Sequence, residues 1–213
     1  FTFKDVEGLN FQDAYGMLTA LVAFLFQQSD FLLTSEQVNE YDRAAFYRIV
    51  NQKASLTEIK TSFLLLTRML HAHYGKTVIL LMDEYDVPVA KASSNGYYQE
   101  MLNIVKAIMS TALKDNPSLK FAVITGCLKI TKESIFTGTN NFVSDSISSN
   151  RLNEYFGFTD TDVTQILQDA KLSEHMPAVK MSRVFQKTVM RRSGRLIHAC
   201  TPKSWRMIMT RYC

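Results

Sequence analysis

Asp83, Glu84 and Asp86 follow directly on Thr77-Val-Ile-Leu-Leu-Met82, a continuous apolar run that Pro88 closes. The run is too short for a helix and reads as a strand buried on both faces, as in a parallel sheet. Ligands of open α/β sheets bind outside the carboxyl ends of the strands, where these carboxylates fall. Apolar residues followed by Asp-Glu form the Walker B pattern. In that chemistry the first carboxylate, Asp83, holds hydrated Mg2+ beside nucleotide phosphates, and the second, Glu84, polarises the attacking water as a general base. Phe121-Ala-Val-Ile-Thr125 repeats the form, a second buried strand that ends at Gly126. Thr125 suits the polar group that ATPases place on a neighbouring strand to orient that water. Strands also end in acidic turns or in Thr with no chemistry attached, so both readings stay open on these residues alone.

The elements that must position these groups read as helices around the two strands. From Phe11 to Phe26, Tyr15, Leu18, Leu21, Val22, Leu25 and Phe26 recur at helical spacing. Ser35 is expected to cap a second helix running to about Asn51, with Val38, Tyr41, Ala45, Phe46 and Ile49 inward. Ser55-Leu-Thr-Glu58 is a capping box; the helix it starts carries Ile59, Phe63, Leu66 and Leu70 on one face. Another helix is expected from about Tyr97 to Leu113, stopped by Lys114-Asp-Asn-Pro117. Residues 130–150 read as a long polar loop at the sheet edge. Thr159-Asp-Thr-Asp162 is a capping box for a short helix to about Ala170. Helix, strand, helix, strand is the grammar of an α/β domain with crossover connections.

With 213 residues, 46% of them hydrophobic and 21% charged, the chain suits one medium globular domain. That composition excludes wholesale disorder and collagen-like repeats. Three widely spaced cysteines (Cys127, Cys200, Cys213) supply neither a disulfide framework nor a CxxC metal site. The longest uncharged stretch, Ala14 to Ser29, is apolar only to Phe26, short of the ~18–20 residues that span a bilayer. No basic segment precedes it, so neither a signal peptide nor a membrane partner is expected, and a reduced cytoplasmic setting is. The net charge of +4 is unevenly spread: Lys180–Cys213 carries nine basic residues and no acidic one, leaving residues 1–179 net −5.

Taken together and in order, Tyr15-Gly16, LHAHYGKTVILLMDEYDVPVAKA, GYYQEML, ALKDN, ITGCLKITKESIFTGTNN and EYFGFTDTDV form an unusual set. It resembles the bacterial AAA-ATPase-like family, predicted P-loop ATPases often fused to a nuclease-like C-terminal domain, over about Asn10 to Ala170. The resemblance implies a P-loop NTPase fold with an additional strand between the Walker A and Walker B strands, a parallel sheet flanked by helices. It implies ATP and Mg2+ as cofactors, Asp83 in the metal role, and Glu84 and Thr125 as catalytic residues. Lys129 would fall at the cofactor, where the family usually shows Arg; an ammonium does not reproduce a guanidinium's fork on a phosphate. The family's phosphate-binding loop lies in an N-terminal Arg-Pro-Arg-Arg-Phe-Gly-Lys-Ser stretch that these residues do not contain. No GxxxxGK[ST] occurs, and Gly75-Lys76-Thr77 lacks the preceding glycine and leads into a strand. The expectation is an ATPase-like core, residues 1–175, without its Walker A segment and with little or no hydrolysis by itself. The family's Trp-Tyr-Asp-Gly-Tyr motif is also missing after Glu174, and residues 176–213 are expected to be an irregular basic tail.

Two other classes compete. A Mg-dependent nuclease could use Asp83, Glu84 and Asp86 with the ExK of Glu58-Ile-Lys60. That ExK sits upstream at a helix start rather than on a strand after the Asp. A nucleic-acid-binding module could use the basic tail, whose Phe185, Trp205 and Tyr212 could stack on bases; a solvated tail with no ligand is the simpler reading. His71 and His73, two apart, cannot share one helical face as ligands and instead suit a helix C-terminus.

Overall fold

In the computed structural model, which describes residues 1–126, 142–146, 160–177 and 206–211, helices precede and separate the strands much as the sequence pattern requires. Helix α1 (Phe11–Gln27) starts at Asn10, whose side-chain oxygen accepts the Asp13 N–H at 3.0 Å. A 3-10 turn (Asp30–Thr34) leads to α2 (Glu40–Val50). The expected cap at Ser35 is corrected here: α2 begins at Asn39, which accepts the Asp42 N–H at 2.9 Å. An Asn with extended backbone is as good a cap as Ser. Ser35 is taken by another partner, His73 Nδ1 at 2.8 Å.

The Ser55–Glu58 capping box forms as expected, but its helix is broken into α3 (Leu56–Lys60) and α4 (Ser62–Tyr74) at Thr61. The Thr61 hydroxyl bonds back to the Thr57 carbonyl at 3.0 Å, a habit of Thr that bends helices. Gly75 ends α4 in the left-handed conformation at φ 62°. The Gly75-Lys76-Thr77 string is therefore a helix stop and strand entry. Strand β1 (Val78–Met82) follows, then α5 (Val87–Asn95), α6 (Tyr98–Leu113) and β2 (Leu119–Gly126). Helix α5 was not expected. Pro88 reads as a stop, yet it stands in the first turn of α5, where its missing N–H costs nothing.

β1 and β2 are parallel, with Leu80 opposite Ala122 and Met82 opposite Ile124. These four are buried and join α1, α2, α4 and α6 in one core that includes Phe26, Phe46, Phe63, Met69 and Ile108. The other face is a correction to the reading of β1 as buried on both sides: Ile79 and Leu81 are 49% and 59% exposed. The sheet is also not purely parallel. Two further strands, β3 (Phe142–Ser146) and β4 (Arg206–Arg211), give the order β1-β2-β4-β3, and β4 runs antiparallel to β2. β3 falls within the expected loop of 130–150 and β4 within the expected irregular tail; residues 130–141, 147–150, 178–205 and 212–213 of those segments lie outside the described residues. Helix α7 (Asp160–Asp169) and a 3-10 turn (Ser173–His175) belong to a second compact unit, Ser146–Ser204, distinct from Phe1–Asp145 with Trp205–Cys213. The Thr159 cap expected for α7 is outside the described residues.

Candidate functional site

The parallel register sets Met82 opposite Ile124, so the next residues of each strand, Asp83 and Thr125, meet at the carboxyl edge. Thr125 Oγ1 donates to Asp83 Oδ1. The same carboxylate oxygen accepts the Glu84 N–H at 2.9 Å. On its other side Asp83 is held by the chain's first residues: its N–H donates to Phe1 O and its carbonyl accepts the Phe3 N–H, both at 2.9 Å. Phe3 is fully buried and packs edge-on against Phe1, which meets Phe63 in turn. Further along, Glu7 pairs with Lys91 of α5 at 2.6 Å, and its hydrogen bond raises the ammonium's pKa. The Tyr97 hydroxyl donates to Gly8 O at 2.7 Å. Asp83 is thus fixed through its backbone by this arm and through its side chain by Thr125.

Glu84 is buried and adopts a left-handed backbone at φ 54°, a conformation that costs an L-residue about 1–2 kcal/mol. Such strain is retained where surrounding contacts over-determine it. Three of those contacts are visible: the Glu84 N–H on Asp83, the Glu84 carbonyl accepting the Val87 N–H at 3.1 Å, and the Tyr85 N–H on Thr125 O at 3.3 Å. Asp86 is also buried and opens α5. The turn 83–86 therefore runs from β1 into α5 while leaning on the end of β2. Of the residues singled out by sequence, Asp83, Glu84, Asp86 and Thr125 come together here, whereas Lys129 lies outside the described residues. Sequence reasoning missed Gly126, whose Cα faces Asp86 and Tyr85 so closely that a Cβ would overlap both.

Glu58 of the ExK and the histidine pair have other partners, while Phe185, Trp205 and Tyr212 of the basic tail lie outside the described residues. Glu58 accepts the Ser55 N–H at 2.8 Å and pairs with Arg48 at 2.7 Å. The Ser55 N–H, then Arg48, lower its pKa. His71 Nδ1 meets Ser118 Oγ at 3.2 Å and His73 meets Ser35, at the last turn of α4 as the sequence suggests. Among the described residues, no group of three or more His, Cys, Asp or Glu forms a metal cage, and no helix is long and apolar enough to cross a membrane.

These features define an α/β domain with a carboxylate pair at the carboxyl end of a parallel strand pair. The model of the AAA-ATPase-like family, described as predicted AAA-ATPase, matches residues 15–136, and the chain belongs to that family. A protein of Azotobacter chroococcum mcd 1, described as "Uncharacterized protein in vnfD 5'region", is 29% identical over 120 residues, covering 56% of this chain and 22% of that protein. The chain thus matches only about a fifth of that relative's length. No solved structure matches.

Proposed function

We propose that the complete protein binds Mg-ATP and hydrolyses it at the carboxyl edge of β1 and β2. The observation that carries this reading is the Thr125–Asp83 hydrogen bond across the parallel pair. It sets a hydroxyl, a carboxylate and the following Glu84 at one strand edge. In this reading Asp83 binds Mg2+, Glu84 accepts the proton of the attacking water, and Thr125 orients that water and Asp83. The donor set suits the ion: Mg2+ is held by one or two carboxylates plus substrate phosphates and waters, not by an all-protein cage. Bound there, Mg2+ would neutralise charge on the phosphates.

The 213 residues contain no GxxxxGK[ST], so the phosphate cradle must be supplied by the rest of the complete protein. The domain alone should release no phosphate from Mg-ATP above a Glu84→Gln control. In the complete protein, Glu84→Gln should retain ATP and lose hydrolysis by roughly 100-fold or more, the usual worth of a general base. Asp83→Ala should weaken Mg2+ binding as well. Equal phosphate release by wild type and Glu84→Gln would remove Glu84 from the mechanism. The Mg-dependent nuclease reading gains nothing from Glu58, whose carboxylate is committed to a helix cap and to Arg48.

A further inference from the structure

Between β1 and α5 the chain turns within Asp83–Asp86, and this turn lies on the last two residues of β2. Tyr85 reaches Thr125 O through its N–H, while Asp86 Oδ1 and the Tyr85 ring lie against Gly126. A Cβ at Gly126 would stand 2.7 and 2.8 Å from Tyr85 Cε1 and Cδ1, and closer still to Asp86 Oδ1. Neither neighbour has room to retreat. Tyr85 and Asp86 are each 2% exposed, and the Asp86 carbonyl already accepts the Ala90 N–H at 2.9 Å inside α5. An added methyl must therefore displace the turn from the strand end, and the contact most exposed to that displacement is Thr125 on Asp83.

We propose that Gly126 is a positioning residue: its bare Cα lets Tyr85 and Asp86 seat against β2, and that seating keeps Thr125 on the Asp83 carboxylate. The catalytic consequence rests on the reading of Asp83 as the Mg2+ carboxylate; the mechanical coupling does not. With Thr125 displaced, Asp83 Oδ1 keeps only the Glu84 N–H among its contacts described above and loses its fixed orientation toward the metal.

The test uses the complete protein carrying Gly126→Ala, Thr125→Ala, and both together. Two measurements are made: the Mg2+ dependence of ATP hydrolysis, and hydrogen–deuterium exchange of peptides spanning residues 83–90. Gly126→Ala should lower turnover about 10- to 100-fold, the scale expected for a small misplacement, and raise the Mg2+ needed for half-maximal rate. Because both substitutions break one contact, the double variant should be no worse than the worse single. Exchange over 83–90 should quicken while α6 peptides keep their protection. Multiplying effects in the double variant, or unchanged exchange over 83–90, would overturn the proposal. Quickened exchange in a protein whose wild type shows no Glu84-dependent hydrolysis would uphold the coupling and refute the Mg-ATP reading. If Gly126→Ala does not fold, Asp86→Ala removes the same contact from the other side and is read by the same two measurements.

Discussion

At the amino end of β1 and β2, amide and hydroxyl groups satisfy one another. Asn116 Nδ2 donates to Thr67 Oγ1 at 3.0 Å and to Ala112 O at 2.9 Å, its Oδ1 accepts the Ser118 N–H at 3.1 Å, and the Ser118 hydroxyl meets His71. Ser118 O then accepts the Val78 N–H at 2.8 Å, which starts the β1–β2 pairing. At the carboxyl end of the same strands, 83–86 carries three acidic residues, Glu84 on a left-handed backbone and Asp86 against a glycine that tolerates no side chain. The first network ties α4, α6 and β2 together with amides and hydroxyls, which need no charge to be satisfied. The second end concentrates charge and strain that a purely structural strand end has no reason to keep. Polar groups are buried at both ends, so burial does not separate them; the kind of group does.

The sharpest way to break that contrast is to remove Asn116. Asn116→Leu preserves volume but deletes both its donor and acceptor roles, leaving the Ser118 N–H without its partner. Denaturant unfolding should show a loss of about 2–3 kcal/mol, the scale of an unsatisfied buried polar group plus its lost bonds. Hydrolysis per folded molecule of the complete protein should stay at wild-type level. A large fall in turnover without a fall in stability would mean that the amino end takes part in the chemistry.

A smaller effect of opposite sign is expected at Glu84. Gly adopts left-handed backbone without the penalty paid by an L-residue, so Glu84→Gly should stabilise the domain by up to about 1 kcal/mol while abolishing hydrolysis. Gln52 and Asp115 share the left-handed conformation, at φ 54° and 50°, but both are exposed. Their Gly variants should gain similar stability with unchanged turnover. If Glu84→Gly instead destabilises while the other two stabilise, the buried carboxylate is a structural group, and strain at that position says nothing about function.

The contrast between the ends also explains which parts were legible in the sequence. Strand positions showed because four or five apolar residues in a row, bounded by polar groups, have few alternatives; Asp83 and Thr125 could be paired in advance because both end such runs. Helix α5 did not show, because Pro88 signals a stop and only the backbone reveals that it occupies a first turn. The exposed face of β1 was hidden because Ile79 and Leu81 are as apolar as their buried neighbours. Gly126 was silent for a different reason: the need for its bare Cα comes from Asp86 and Tyr85, forty residues away in sequence. The network of Asn116, Thr67 and Ser118 was equally invisible, since those residues are ordinary at helix ends and turns.

Glu58 offers the last and smallest comparison, a structural carboxylate to set beside Glu84. Its pKa is lowered first by the Ser55 N–H and next by Arg48. A lowered folded-state pKa means that the charged form is bound more tightly in the folded chain. The resulting stability is present above the ordinary value of 4.5 and is lost as pH falls through the lowered one. Glu58→Gln keeps the side chain's length but weakens the cap and the pair with Arg48. Near neutral pH it should cost about 1 kcal/mol or less, the usual range for a helix cap and a surface ion pair. Wild type and variant should converge in stability as pH falls through the lowered pKa and the wild-type carboxyl becomes protonated. Turnover of the complete protein at neutral pH should not change. A variant that loses Mg-dependent nuclease activity at neutral pH without losing stability would reinstate the ExK reading, because a carboxylate whose removal costs no stability is not held by Ser55 and Arg48.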